Sequence, residues 1–466
     1  MNVTRVLAVA LLAVFSSGCA VGPNYKRPVV ASPPEYRSLP PDQSGQTQAK
    51  SFGDEKWWDA FQDDALRDLI RTALKQNYDV RIAAARILEA RAQFGITRAD
   101  QLPSISAGVA GTNERSPQSL LLPAFETSAT QVSASLIWEL DFWGKYRRAT
   151  ESARASLLAQ EWAQRAVMSS LVSDVANAYF QLRELDLELD ISRQTLGFRN
   201  DSLRLTRILA DGGATSLLDV RQAEQLVFNA GAAIPDLEQR IEQQENFISI
   251  LLGENPHGIA RGKALVDEPH PLEVPAGLPS SLLERRPDIR QTEQQLIAAN
   301  AQIGVARANY FPQIALTGTG GYQSSALTAL FSGPAGLWSF GGSAVQPVFE
   351  GGRIRNQVRF AKARTEEATL VYQQRVQQAF REVSDALIGY RKSQEFRIQQ
   401  EQLTHSAEDA TRLSNMRYKG GATSYLEVLD SDTRYFAARL SLAQAQLREL
   451  QSLVQIYRSL GGGWQQ

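Results

Sequence analysis

Gly212-Gly213-Ala214-Thr215-Ser216 recurs unchanged as Gly420-Gly421-Ala422-Thr423-Ser424, 208 residues further along the chain. Glycine ends a helix in the left-handed conformation without a Cβ penalty. The serine that closes each copy suits the N-cap of a following helix, with Asp219 or Glu427 three residues on as its capping-box partner. Each copy therefore predicts the bend of a helical hairpin. Working outward, Lys145 to about Leu209 precedes the first bend, with apolar Val175, Tyr179, Leu182, Leu185 and Leu189 at coiled-coil spacing. Arg353 to about Tyr418 precedes the second, with Tyr372, Val376, Phe380, Val383, Leu387 and Tyr390. No proline interrupts either stretch. Some 65 residues at 1.5 Å per residue make a rod of about 100 Å, too long for an ordinary globular core. A shorter helix follows each bend, to about Leu252 and about Leu460.

The matches continue upstream. Ala92-Gln93-Phe94-Gly95 corresponds to Ala301-Gln302-Ile303-Gly304, and Trp143-Gly144-Lys145-Tyr146-Arg147 faces Gly351-Gly352-Arg353-Ile354-Arg355. Ordered matches of this kind argue for an internal duplication. Each half should open with a helix, Asp64 to Asp100 in the first. Two short strands should follow: Ser104 to Glu114 and Val132 to Leu140, then Gln313 to Ser324 and Trp338 to Phe349. Val132, Ala134, Leu136, Trp138 and Leu140 alternate with mostly polar neighbours, so that strand has one apolar and one wet face. About ten residues is the length a tilted strand needs to cross a bilayer.

The termini of the strands are aromatic. Trp138, Phe142 and Trp143 in the first half, and Trp338, Phe340 and Phe349 in the second, suit a membrane boundary. The same rings would also serve as core packing at a strand–helix junction. At the N-terminus, Arg5 and the apolar run Val6 to Phe15 read as an export signal, and small Ser16, Ser17 and Gly18 precede Cys19. This pattern resembles a bacterial lipoprotein, in which Cys19 would carry the lipid; Ala20 beside it resembles an outer-membrane address. An ordinary signal peptide with an incidental cysteine is the alternative. No later stretch is apolar enough for a helical span, so any crossing must be a closed barrel. Four strands cannot close one. Several chains must contribute, and three would supply about twelve strands.

Composition excludes other classes. Lys and Arg total 49 against 50 Asp and Glu, so the near-neutral chain lacks the basic excess that nucleic-acid binding needs. One cysteine and three histidines give no metal-site spacing, and neither a G-x-S-x-G elbow nor a phosphate-binding loop occurs. No enzyme activity, metal or cofactor is expected.

Cys-Ala-Val-Gly-Pro-Asn-Tyr-Lys-Arg-Pro at 19–28, Trp57-Trp58, Glu-Leu-Asp-Phe-Trp-Gly-Lys at 139–145, Leu-Glu-Arg-Arg-Pro-Asp-Ile at 283–289, Tyr310-Phe311-Pro312 and Leu-Gly-Gly-Gly-Trp at 460–464 carry a family resemblance. The chain resembles the TolC-like outer membrane efflux proteins, in particular the NodT-type lipoproteins of resistance-nodulation-division pumps. That resemblance implies a mostly α fold with a small transmembrane β part, a homotrimer with a 12-stranded outer-membrane barrel, and a periplasmic coiled-coil tunnel. It implies an outer-membrane location, lipid-anchored, extending into the periplasm. It further implies that the turns Gly212 to Ser216 and Gly420 to Ser424 dock a periplasmic adaptor and an inner-membrane pump, which would supply the energy. Leu426 and Asp430, one helical turn apart, match positions that form the closed periplasmic gate in that family; ordinary helix packing and a solvated carboxylate are the plainer reading. The expected division is a signal peptide at 1–18, an extended segment wrapping the middle of the tunnel at 19–62, the first repeat at 63–253, a Pro-rich connector at 254–279 and the second repeat at 280–466. The expected function is export of small toxic compounds. Type I protein secretion or metal-ion export by a similar conduit is the alternative.

Overall fold

The computed structural model describes residues 20–33, 36–37, 51–118, 123–269, 271 and 274–465. The export signal and Cys19 lie outside the described residues. Most of the described chain is helical, with one four-stranded antiparallel sheet. The duplication appears in element lengths. The rods Lys145–Asp211 and Arg353–Lys419 are each 67 residues long. The return helices Leu217–Leu252 and Tyr425–Ser459 have 36 and 35 residues. The helices that lead into the strands, Tyr78–Ala99 and Pro287–Ala308, have 22 each.

The chain divides into two compact units, each drawing on both halves of the sequence. Among the described residues the first comprises 20–29, 86–118, 123–161 and 291–373. It holds the sheet, with β1 (Ser104–Ser116), β2 (Phe125–Leu140), β3 (Gln313–Ser324) and β4 (Gly336–Val345) in that spatial order. The hairpins of the two halves join where β2 pairs with β3. Residues opposite one another in an antiparallel pair share a face. The register sets Ile105 opposite Leu136, Leu136 opposite Gly318, and Gly318 opposite Phe340. The next row on that face is Ala107, Ala134, Gly320 and Trp338. The other face carries Ser106, Ser135, Thr319 and Ser339. One apolar and one polar face thus extend across all four strands, as the alternation in β2 predicts.

In the same unit, residues 20–29 run along Pro287–Ala308. Val21 N donates to Trp143 O at 3.0 Å, and Asn300 Nδ2 donates to Pro23 O at 3.0 Å. Gly22 and Gly304 let the two backbones touch: a Cβ built on Gly22 would lie 2.5 Å from Gly304 Cα. The Val-Gly-Pro-Asn-Tyr-Lys-Arg motif is therefore a strap on the second-half helix.

Among the described residues the second unit comprises 30–33, 36–37, 51–85, 162–269, 271, 274–290 and 374–465. Its core includes Leu66, Ile70, Val175, Tyr179, Leu182, Val376 and Val383, all essentially inaccessible. In the part of the second rod that belongs to this unit the buried seam runs through Val376, Ala379, Val383, Ala386 and Tyr390, steps of three and four; Tyr372, buried too, belongs to the first unit. Phe380 and Leu387, expected in that seam, flank it half-buried. Asp63 ties several segments together. It caps the helix Asp64–Gln76 at Ala65 N and Leu66 N, and it accepts from the Tyr179 hydroxyl at 2.7 Å and Lys263 N at 2.8 Å. Burial alone would raise its pKa, but these donors outweigh burial and hold the carboxyl below its ordinary range.

Three expectations about elements need correction. The helix expected over Asp64 to Asp100 is broken at Asn77. Its Oδ1 accepts from Asp79 N and Val80 N, starting a second helix, while its Nδ2 donates to Leu251 O at 2.9 Å. The segment 19–62, expected to be extended, contains a 3-10 turn at Phe52–Asp54 and a helical turn at Trp57–Ala60. The last strand stops at Val345, so Phe349 lies beyond it, past Pro347, whose missing N–H cannot continue a ladder.

Candidate functional site

The two hairpin ends lie together in the second unit. Both turns close in the same way. Ala214 N donates to Leu209 O and Gly213 N to Ala210 O; Ala422 N donates to Arg417 O and Gly421 N to Tyr418 O. This pair of hydrogen bonds is the Schellman arrangement, which needs a left-handed residue. Gly213 and Gly421 supply it at φ 76° and 69°. Gly212, Gly213, Ala214 and Ser216, with Gly420, Gly421, Ala422 and Ser424, are exposed, and Thr215 and Thr423 are partly so.

The helices behind the turns share an apolar cluster of Leu203, Val220, Ala223, Tyr425 and Val428. The sequence places the turns 208 residues apart, and this cluster is what brings their helices together. The starts of the return helices differ. Ser216 forms the expected capping box with Asp219. Ser424 makes no side-chain cap, and the Glu427 carboxylate is engaged by Thr423 Oγ1 and by Arg417. That correction leaves the second return helix without its predicted N-cap bond.

Leu426 and Asp430 lie on the first two turns of that second return helix. Leu426 is 58% exposed, and Asp430 is exposed and paired with Arg434 at 2.9 Å. Their neighbours Tyr425 and Val428 supply the packing, which leaves Leu426 on the outward side. A buried ion pair that periodicity did not reveal lies one turn further on. Arg199 Nε donates to Asp432 Oδ2 at 2.7 Å and Arg199 Nη1 to Leu226 O at 2.9 Å. Its signal in the sequence was only an arginine and an aspartate on otherwise ordinary helices.

In the first unit, the strand-end aromatics fall into two groups. Trp338 and Phe340 stand 84% and 74% exposed on the apolar face of the sheet, and Phe349 is 89% exposed in the segment after it. Trp138 is on that face too, half-buried, with its Nε1 donating to Gln101 O at 3.1 Å. Trp143 is a junction residue: its Nε1 donates to Pro312 O at 2.8 Å and its ring stacks on Phe311 with centroids 4.7 Å apart. Phe142 beside it is half-buried. Of the two roles the sequence allows these six rings, boundary or junction packing, the contacts of Trp143 with Phe311 and Pro312 are those of junction packing.

Among the described residues no helix is long and apolar enough to cross a membrane, and no group of side chains could hold a metal ion. Comparison with known proteins places the whole arrangement. The family model for outer membrane efflux proteins matches residues 69–254 and again 278–462, the two halves of the duplication. The probable efflux pump outer membrane protein TtgC of Pseudomonas putida is 36% identical over 98% of this chain and 95% of its own length. The cation efflux system protein CusC of Escherichia coli is 34% identical over 98% of both chains. The open state of the Neisseria gonorrhoeae MtrE outer membrane channel superposes with a TM-score of 0.86 at 29% identity, over 96% of this chain and 99% of the other. The chain belongs to the outer membrane efflux protein family and is an outer-membrane component of an efflux system.

Proposed function

We propose that three copies of this chain close their sheets into one outer-membrane barrel and line a conduit for small toxic compounds delivered by a periplasmic adaptor and an inner-membrane pump. The observation that carries this reading is the sheet itself. It has an apolar face with Ile105, Val109, Trp338 and Phe340 more than 70% exposed, and its two outer strands, β1 and β4, are open edges. Apolar side chains are at home in lipid, but unpaired edge N–H and C=O groups are not; each edge needs another strand. The edge of one copy can pair with that of the next, and the polar face then lines water. In this reading residues 1–18 are removed and Cys19 carries lipid. The copies 63–253 and 280–466 are joined by 254–279. The exposed strand-end aromatics sit at the bilayer boundary, and the turns Gly212 to Ser216 and Gly420 to Ser424 meet the adaptor.

Leu426 and Asp430 form the constriction in this reading. Both point away from the packed cluster, and rings of apolar and acidic side chains are the usual devices for closing a pore. Relatives are named for exporting cations as well as for other efflux pumps. Cargo choice therefore belongs largely to the pump.

Crosslinking of the purified protein in detergent tests the assembly: a species of three chains is expected, and a lone monomer overturns it. For the constriction, Leu426→Ala with Asp430→Ala is expected to raise single-channel conductance in planar bilayers. Conductance equal to wild type removes these residues from the gate while leaving the barrel standing.

A further inference from the structure

The ends of the two rods and the second return helix enclose a cleft of about 530 Å³, the size of a small-molecule site. Arg199 is in its wall, with a side chain only 2% exposed. Its Nε and Nη1 are answered by Asp432 and Leu226 O, and its guanidinium lies 4.9 Å from the Phe436 ring centroid. Its Nη2 is buried and has no protein acceptor. A buried donor left unanswered on a charged group is costly, so the site favours an occupant that accepts.

The other charges point the same way. The acids of the lining are already engaged: Asp432 by Arg199, Glu408 by the Tyr435 hydroxyl, and Asp201 by Arg204 at 2.9 Å. Of the remaining cations, Lys419 also lines the cleft, Arg412 pairs with Asp409, and Arg439 donates to the neutral amide of Gln194 at 2.8 Å and lies 5.7 Å from the Tyr435 ring centroid. The unused capacity therefore lies with donors. Phe198, Leu205, Tyr425 and Phe436 give the cleft an apolar side.

We propose that this cleft binds a small amphipathic anion, an aromatic carboxylate or sulfonate, whose head group accepts from Arg199 Nη2 while its ring lies against the apolar side. Arg199 belongs to the first rod and Asp432 to the second return helix, so the occupant fastens the two hairpins to each other behind their turns. The proposal concerns binding and does not depend on transport.

The test is calorimetric titration of the full-length channel in lipid nanodiscs with naphthalene-2-sulfonate, corrected against empty nanodiscs. Saturable binding of one molecule per chain is expected. Arg199→Met should weaken it at least tenfold. Asn415→Trp, which fills the cleft and keeps Arg199, should do the same. Neutral 2-naphthylmethanol should bind at least tenfold more weakly than the sulfonate. No saturable binding to wild type overturns the proposal, as does equal binding of the sulfonate and the alcohol. Undiminished binding by Arg199→Met also overturns it. Should Arg199→Met fail to fold, undiminished binding by Asn415→Trp overturns it alone.

Discussion

Arg27 grips Glu293 through two hydrogen bonds, Nε to Oε1 at 2.6 Å and Nη2 to Oε2 at 2.8 Å, and the Tyr25 hydroxyl adds a third at 3.2 Å. The Glu293 side chain is almost wholly covered, 5% exposed, whereas the Arg27 side chain is 38% exposed. Forked pairing of this kind is directional as well as strong. Removing the arginine takes the forked pair of donors from a covered carboxylate. Arg27→Ala should therefore cost about 1–3 kcal/mol, the range for hydrogen bonds to charged groups. Limited proteolysis should then cut within residues 20–33 at sites protected in the wild type. Because the two residues act as a unit, Glu293→Gln added to Arg27→Ala should cost less than the sum of the two single changes. Additive effects would show that the fork does not hold the strap.

The duplication supplies its own control for the strap. Gly304 and Gly95 occupy corresponding places in the two halves, yet a Cβ on Gly304 would lie 2.7 Å from both Val21 O and Arg148 Cγ, while one on Gly95 would meet nothing within 4 Å. Helix propensity alone favours alanine over glycine by about 1 kcal/mol. Gly95→Ala should therefore leave thermal stability equal or slightly raised. Gly304→Ala should lower it and expose the 20–33 segment to protease. Equal behaviour of the two variants in a melting experiment would refute the close approach.

A buried acid pair makes stability depend on pH. Glu184 and Glu188 lie one turn apart in the first rod, 3% and 4% exposed. Burial, then the hydrogen bond and charge of Glu188, push the Glu184 carboxyl up to about 8. Glu188 accepts from Arg240 at 3.5 Å and from Gln444 Nε2 at 2.9 Å. A raised carboxyl is protonated in the fold, so its contribution is present below the ordinary value of 4.5 and is lost as pH rises toward about 8. Wild type should melt at a lower temperature at pH 8.5 than at pH 6. Glu184→Gln, which keeps the neutral shape, should flatten that difference. An undiminished pH dependence in the variant would assign it to other groups.

Much of the architecture can be read from residue order. The rod ends are legible to within two residues, because Gly212-Gly213 and Gly420-Gly421 announce them and no proline interrupts the approach. The strand β3 is legible at both ends for a similar reason, being bounded by Pro312 and the serines at 324 and 325. The break at Asn77 is not, because asparagine is compatible with a helix interior until a carbonyl elsewhere, here Leu251 O, claims its side chain. For Trp143 the sequence allows a membrane boundary or junction packing, and only the distant Phe311 and Pro312 show that it packs. At the turns, the sequence identified the bends but not the Arg199–Asp432 pair, since helix periodicity reports faces and is silent about which distant helix supplies a counter-charge.

The two return helices were copied from one pattern, yet their first turns are not equally secured. Ser216 closes a reciprocal pair of hydrogen bonds with Asp219, and Ser424 closes none through its side chain. A missing N-cap is worth about 0.5–2 kcal/mol to the first turn of a helix. The amides at 425–427 should thus fray and exchange with solvent more readily than those at 217–219. The turn that carries Leu426 should therefore be the more yielding of the two.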